Sequence, residues 1–194
     1  ATPPRTLCSV PSGNFGNLTA GLMAKKMGLP VERFVAATNV NHVVPDYLEK
    51  GTFDPRSSLR TISNAMDVGD PSNFDRMLSL YHQDHQAMTA DIAGTWFDDA
   101  QTEKAIVDVW QANKYLMDPH TSVGYLGGEA CREGFDACIA LSTAHPAKFP
   151  ETIDRLLPGV LKTPERLQKL IEKEKQSIPV EPEMKAVKEI LLNH

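Results

Sequence analysis

Residues 13 to 17, Gly-Asn-Phe-Gly-Asn, are the stretch of this sequence best suited to chemistry. They stand between a short apolar run, Thr6 to Val10, and a helix-like pattern that begins at Leu18. A turn at such a junction gathers backbone N–H groups that the helix leaves unpaired, and the helix dipole directs its positive end at the same spot. That combination binds anions, phosphate above all. Gly13 and Gly16 let the backbone bend and come close to a bound group. Asn17 could cap the helix, and Ser12 and Asn14 could add side-chain donors. The same residues also suit a tight turn that holds nothing, and the loop alone leaves both readings open. It is neither a P-loop, which needs G-x-x-x-x-G-K-S/T, nor a dinucleotide G-x-G-x-x-G, and Lys25 and Lys26 lie too far along the helix to act as a P-loop lysine.

Other reactive residue types are scattered. His82 and His85, with Asp84 between them, could meet on a helix as one element of a metal site; no third ligand is placed by sequence, and an exposed helix is expected there, so no metal is assigned. Ser12 lacks a G-x-S-x-G elbow, and Cys8 sits inside an apolar strand, where a thiol is structural. Cys8, Cys131 and Cys138 are odd in number and have no C-x-x-C spacing, which fits a reducing, cytoplasmic setting. A formal charge of -5 over 194 residues argues against nucleic acid as a partner. No run approaches the roughly 18 apolar residues of a membrane span. The opening Ala1-Thr2-Pro3-Pro4-Arg5 lacks the apolar core of a signal peptide, and so abrupt a start resembles a cut chain.

The elements that must position the glycine-rich turn follow from pattern. Thr6 to Val10 reads as a buried strand, Leu18 to Met27 as a helix with Leu18/Leu22 and Met23/Met27 pairs, and Arg33 to Thr38 as a second strand. Strand, turn, helix, strand is the form of a βαβ unit, so the expected class is α/β, with a parallel or mostly parallel sheet and flanking helices. Helices are expected at Val43 to Lys50, at Phe74 to Tyr81, from an Asp98 cap to Asn113 with Ala105, Val109 and Ala112 on its apolar face, and at Thr121 to Glu133. Gly51 to Asp70 reads as a long loop, and a strand is expected near Ala137 to Leu141. Residues 1–157 form the expected α/β domain. Residues 158–194 form a helical C-terminal tail divided by prolines, with the charged KLIEKEKQ as a solvated helix face.

With its flanks, VPSGNFGNLTAGLMAKKMGLP resembles the phosphate-binding segment of the bacterial and fungal type of threonine synthase. FVAATNVNHVVPDYL, SNAMDVGDPSNFDR, DPHTSVGY and LSTAHPAKF resemble segments of that family in the same order, so the likeness runs through nearly the whole chain as a C-terminal portion; the tail after about Pro158 is less distinctive. The resemblance implies a fold-type-II enzyme using pyridoxal phosphate, which converts O-phosphohomoserine and water into threonine and phosphate. It implies that the cofactor phosphate lies on Gly13, Asn14, Phe15, Gly16 and Asn17, mostly through backbone N–H groups. It also implies that Thr143, after the strand-like DACIALS, sets its hydroxyl against the pyridine nitrogen. A hydroxyl does not hold that nitrogen protonated as a carboxylate would, which suits elimination over transamination. His145 and Lys148 share that motif and could face the cleft, and Asn64, Asp67 and the Asp118, His120 pair are further candidates. The family's Schiff-base lysine lies upstream of the glycine-rich loop, in an N-terminal part of the same polypeptide, so no catalytic lysine is expected in this chain and it is expected to be inactive alone. A related phospholyase, or a phosphate-binding module without catalysis, is the alternative.

Overall fold

Six consecutive buried residues, Thr6–Pro11, form β1, and every strand that shares its sheet runs parallel to it. Helix α1 (Gly16–Lys26) leads to β2 (Arg33–Thr38); α2 (Val43–Lys50), α3 (Phe74–Leu80) and α4 (His85–Asp91) lead to β3 (Ile92–Trp96); α5 (Asp99–Asn113) and α6 (Pro119–Cys131) lead to β4 (Ala137–Ala140). The strand order is β3-β2-β1-β4. The chain therefore lays β2 and β3 to one side of β1 and then returns to add β4 on the other, with Leu7 opposite both Arg33 and Cys138. The computed structural model describes residues 3–171, 173–174 and 176–193. It divides into two units, Ala1–Leu161 and Lys162–His194.

Alternation along β1 sorts its side chains between two faces. Cys8 and Val10 pack with Leu18 and Leu22 of α1, Tyr47 of α2 and Phe74 of α3, while Leu7 points the other way, with Val35 and Ala37 of β2, onto Val123 of α6. Behind α6, Ala105, Ile106 and Val109 of α5 meet Ile153 of α7 (Pro150–Leu156). Glycines bring α6 close to the sheet: a Cβ at Gly124, Gly127 or Gly128 would come within 2.9 Å of Pro11, 2.7 Å of Ala37 and 2.8 Å of Cys138. The long loop before α3 is fastened by a polar brace, in which Asp67 accepts from Asn39 Nδ2 at 2.9 Å and Thr61 Oγ1 at 2.7 Å, and Asn41 Oδ1 accepts from Leu59 N at 2.7 Å.

Several expectations change. Asn17 does not cap α1; the N-cap is Phe15, held in the left-handed region at φ 59° with no side-chain cap. The apolar face of α5 is completed by Ile106 rather than Ala112, which is exposed, and Asp98 caps it through a reciprocal pair of bonds with Gln101. Helix α6 starts at Pro119, earlier than its apolar pattern suggests, because Asp118 accepts from the N–H groups of His120 and Thr121. The histidine pair does not share a helix: α3 stops at Leu80, His82 and Gln83 turn back at φ 52° and 62°, and His85 opens α4 under an Asp84 cap. Its Nε2 lies 3.0 Å from the Tyr47 carbonyl, and among the described residues no cluster of three or more metal-ligating side chains occurs. Strand β3 was not expected.

In the second unit, α8 (Glu165–Ile171) and α9 (Met184–Asn193) are helical. The charged run at Lys169 to Gln176 leaves the helix after Ile171; Lys173 and Glu174 are not helical, and Glu172 and Lys175 lie outside the described residues.

Candidate anion and cofactor site

In an open parallel sheet, ligands settle beyond the C-terminal ends of the strands, where neighbouring strands are connected in opposite directions. Here that place lies between β1 and β4. A cavity of about 270 Å³ sits there, lined by Pro11 to Asn17 after β1, Thr143 after β4, Ala65 and Met66 from the 3-10 turn Asn64–Met66, and His120 from the first turn of α6. The structure thus brings Gly13, Asn14, Phe15, Gly16, Asn17 and Thr143 to one cavity.

Backbone donors dominate its chemistry. Ser12 N–H donates to the Ala37 carbonyl at 2.8 Å, and Thr19 N–H to the Phe15 carbonyl at 2.9 Å. Between them, the N–H groups of residues 13 to 18 have no acceptor among the described residues. The left-handed turn at Phe15 and the start of the 11-residue α1 concentrate these donors, and the helix dipole adds partial positive charge. Among the described residues no lysine or arginine lines the cavity. A dianionic phosphate therefore fits through hydrogen bonds to main-chain N–H groups rather than through an ion pair.

Side chains near the loop are otherwise engaged. Ser12 Oγ donates to the Val10 carbonyl at 2.9 Å, and Asn14 Oδ1 accepts from Ser72 N–H at 2.7 Å and from Ser72 Oγ at 3.0 Å, so these residues brace the turn more than they supply donors. Gly13 is required by the approach of the 3-10 turn: a Cβ there would lie 2.6 Å from Met66 Cα and 2.8 Å from the Ala65 oxygen.

His120 is 4% exposed and links the walls. Its Nδ1 lies 3.0 Å from Asp118 Oδ1, and its Nε2 accepts from Ala65 N–H at 3.2 Å, which selects the tautomer protonated at Nδ1. Burial pushes the Asp118 carboxyl up, but bonds from the His120 side chain, Thr121 and the His120 backbone outweigh it and hold the carboxyl below its ordinary range. Thr121 Oγ1 bonds Asp118 and also lies 3.1 Å from Ser142 Oγ, tying α6 to the segment that carries Thr143. Burial likewise pushes the Cys8 thiol up, as suits a structural residue.

The remaining candidates disperse. Asn64 and Lys148 line a neighbouring cavity, Asp67 belongs to the polar brace, and His145 Nδ1 accepts from Ala147 N–H at 3.1 Å, capping the 3-10 turn Pro146–Lys148. Ala65 and Met66 had no sequence signal, because they contribute backbone from a distant loop.

A family model described as the C-terminal region of threonine synthase matches residues 121–191. The threonine synthase of Haemophilus influenzae is 45% identical over 83% of this chain and 37% of its own length. That of Escherichia coli is 36% identical over 100% of this chain and 45% of its own length. The crystal structure of the Escherichia coli enzyme superposes with a TM-score of 0.87 over 98% of this chain and 44% of that one. A pyridoxal-phosphate-bound threonine synthase from Brucella melitensis gives 0.84 at 28% identity, over 97% of this chain and 46% of that one. The chain spans less than half the length of these relatives. Threonine deaminase from Solanum lycopersicum, at 13% identity and a TM-score of 0.54, shares the fold alone. Among the described residues no helix is long and apolar enough to cross a membrane.

Proposed function

We propose, from the premise that this chain belongs to the threonine synthase family and matches its C-terminal portion, that it supplies the cofactor-holding half of a cytoplasmic enzyme converting O-phosphohomoserine and water into L-threonine and phosphate. The observation that carries this reading is the run of unpaired N–H groups at residues 13 to 18, which faces Thr143 across one cavity. In it, Gly13, Asn14, Phe15, Gly16 and Asn17 hold the phosphate of pyridoxal phosphate, and Thr143 donates its hydroxyl to the pyridine nitrogen. When bound, that cofactor is an electron sink for carbon atoms of an amino-acid substrate. Thr143 would not hold the ring nitrogen protonated as a carboxylate would, which suits elimination over transamination. His120, fixed between Asp118 and Ala65 N–H, keeps the 3-10 turn against Gly13 and shapes the cavity.

Among the described residues no lysine lines this cavity, so the lysine that anchors the cofactor covalently is assigned to the part of the longer family members outside these residues, and the chain alone does not turn over. The sheet supports a partner of that kind. Parallel strands are normally covered on both faces, yet Ile139 of β4 is 49% exposed on the face away from α6. The N-terminal part of the same polypeptide covers it.

Pyridoxal phosphate added to this chain is expected to bind reversibly, to leave on dialysis, and to give no mass adduct after borohydride, whereas Thr143→Val weakens that binding by about tenfold, the loss of roughly one hydrogen bond to a charged ligand. The full-length polypeptide is expected to release phosphate and threonine from O-phosphohomoserine in equal amounts. A borohydride-stable adduct on a lysine of this chain, or phosphate release with 2-oxobutyrate as the sole organic product, contradicts the proposal.

A further inference from the structure

A second cavity of about 410 Å³ opens next to the first, between the loop at Arg60 to Asn64, the start of α5 and the start of α7. Four charged side chains line it: Arg60 and Lys148, and the carboxylates of Asp99 and Glu151. Among the described residues these opposite charges do not pair with one another, and neither Arg60 nor Lys148 makes an ion pair elsewhere. Asp99 is half-buried, and among the described residues its carboxylate accepts a hydrogen bond only from Ile62 N–H, at 3.3 Å. Arg155, which lies within reach of Asp99, is committed to Glu103 at 2.5 Å. Burial, then the nearby carboxylates of Glu103, Asp67 and Asp98, push the Asp99 carboxyl up against the bond from Ile62, the mark of an anionic group short of a cation.

We propose that this cavity binds the head group of a free α-amino acid, with its ammonium on Asp99 and Glu151 and its carboxylate on Arg60 and Lys148. The zwitterionic head group of an amino acid answers both unpaired signs at once, and complementary charges select it over a plain anion or a plain amine. Thr61, Thr152 and Asn64 add polar groups, and Ile62, Phe149 and Pro150 give an apolar wall for a short side chain. The cavity also adjoins the first: Phe149 packs on the His120 ring at 4.9 Å between centroids, and Asn64 precedes Ala65, whose N–H holds His120 Nε2. An amino acid bound here sits one side chain away from the proposed cofactor. The inference does not depend on the cofactor reading.

Calorimetric titration of this chain with L-threonine and L-homoserine, with acetate and ethylamine as single-charge probes, tests it. The amino acids are expected to bind with one site and each half-ligand about tenfold or more weakly, the equivalent of one lost charge contact. Asp99→Asn keeps the acceptor for Ile62 N–H, and Lys148→Ala lies on an exposed turn, so both variants are expected to keep the parent circular dichroism while weakening threonine about tenfold. Inorganic phosphate binding, followed in the same samples, reports the first cavity and is expected to stay at the parent value in both. The proposal is overturned by acetate binding as well as threonine, by no saturable signal with either amino acid, or by folded variants that bind threonine like the parent.

Discussion

Replacing Gly13 by alanine is expected to weaken phosphate binding about 100-fold, the loss of roughly two hydrogen bonds to a charged group. The added Cβ would lie 2.6 Å from Met66 Cα and 2.8 Å from the Ala65 oxygen, and both are main-chain atoms that cannot swing aside. Either the 3-10 turn retreats or the loop after β1 is displaced, and each spoils the alignment of the N–H groups at residues 13 to 18. Forcing extra atoms into a packed site costs about 1–3 kcal/mol, and because the obstacle is backbone the upper end of that range is expected. Gly16→Ala is the matched control: its Cβ would meet Asn73 Nδ2 at an ordinary 3.7 Å, and alanine is a better helix former than glycine. Its stability should therefore equal or exceed the parent's. Urea midpoints and phosphate titration on both variants separate the two effects, and a Gly13→Ala protein that binds phosphate like the parent would remove the close-approach explanation.

Asp118→Ala is expected to cost about 3 kcal/mol, the sum of a lost N-cap and buried donors left without an acceptor. Asp118 is 1% exposed and receives His120 N–H at 2.9 Å, His120 Nδ1 at 3.0 Å, Thr121 N–H at 3.4 Å and the Thr121 hydroxyl. Its folded-state carboxyl titrates below its ordinary range, so its contribution is fully present above the unfolded value of about 4 and disappears as pH falls through the lower folded value. Urea unfolding of the parent between pH 6 and pH 3, from about two units above that value to about one unit below it, should lose stability at the acid end. Asp118→Asn should be less stable than the parent at pH 6 and should approach it as the parent's carboxyl protonates. Parallel pH curves for the two proteins would show that some other carboxylate governs acid sensitivity.

The stretch proposed to hold the phosphate was legible because its signals are local. Apolar residues 6 to 10, the stop at Pro11 and Gly13, and the pair Leu18 and Leu22 define strand, turn and helix within a short window, and they fix where unpaired N–H groups must gather. Asp98 could be read as a cap for the same reason, since its partner Gln101 is three residues away. What the sequence hid is tertiary. Ile92 to Trp96 is a strand only because Phe34 to Thr38 lies beside it, and its Gly94, a poor strand former, serves the close seat of Pro45 from α2. His82 and His85 suggested a helical pair until two left-handed residues reversed the chain between α3 and α4. Phe15 displaced Asn17 as N-cap because the tight turn needs a left-handed residue there more than it needs a side-chain oxygen. His120 and Ala65 meet across the fold, and nothing local in either segment announces the bond.

The late arrival of β4 beside β1 has a kinetic and dynamic side. The loop after β1 is built by neighbouring residues and can form as soon as β1, α1 and β2 associate, whereas Thr143 reaches the cavity only when the chain has crossed back over the sheet. Contacts so distant along the chain are slow to close. Elements with few covering groups are also the first to open in the native state, and β4, a short edge strand with Ile139 half in solvent, is such an element. The anion cradle and the hydroxyl proposed to face the ring are therefore expected to open separately: partial opening of the sheet at β4 would part them while the cradle stays intact, so that grip on a phosphate would outlast discrimination of what the phosphate is attached to.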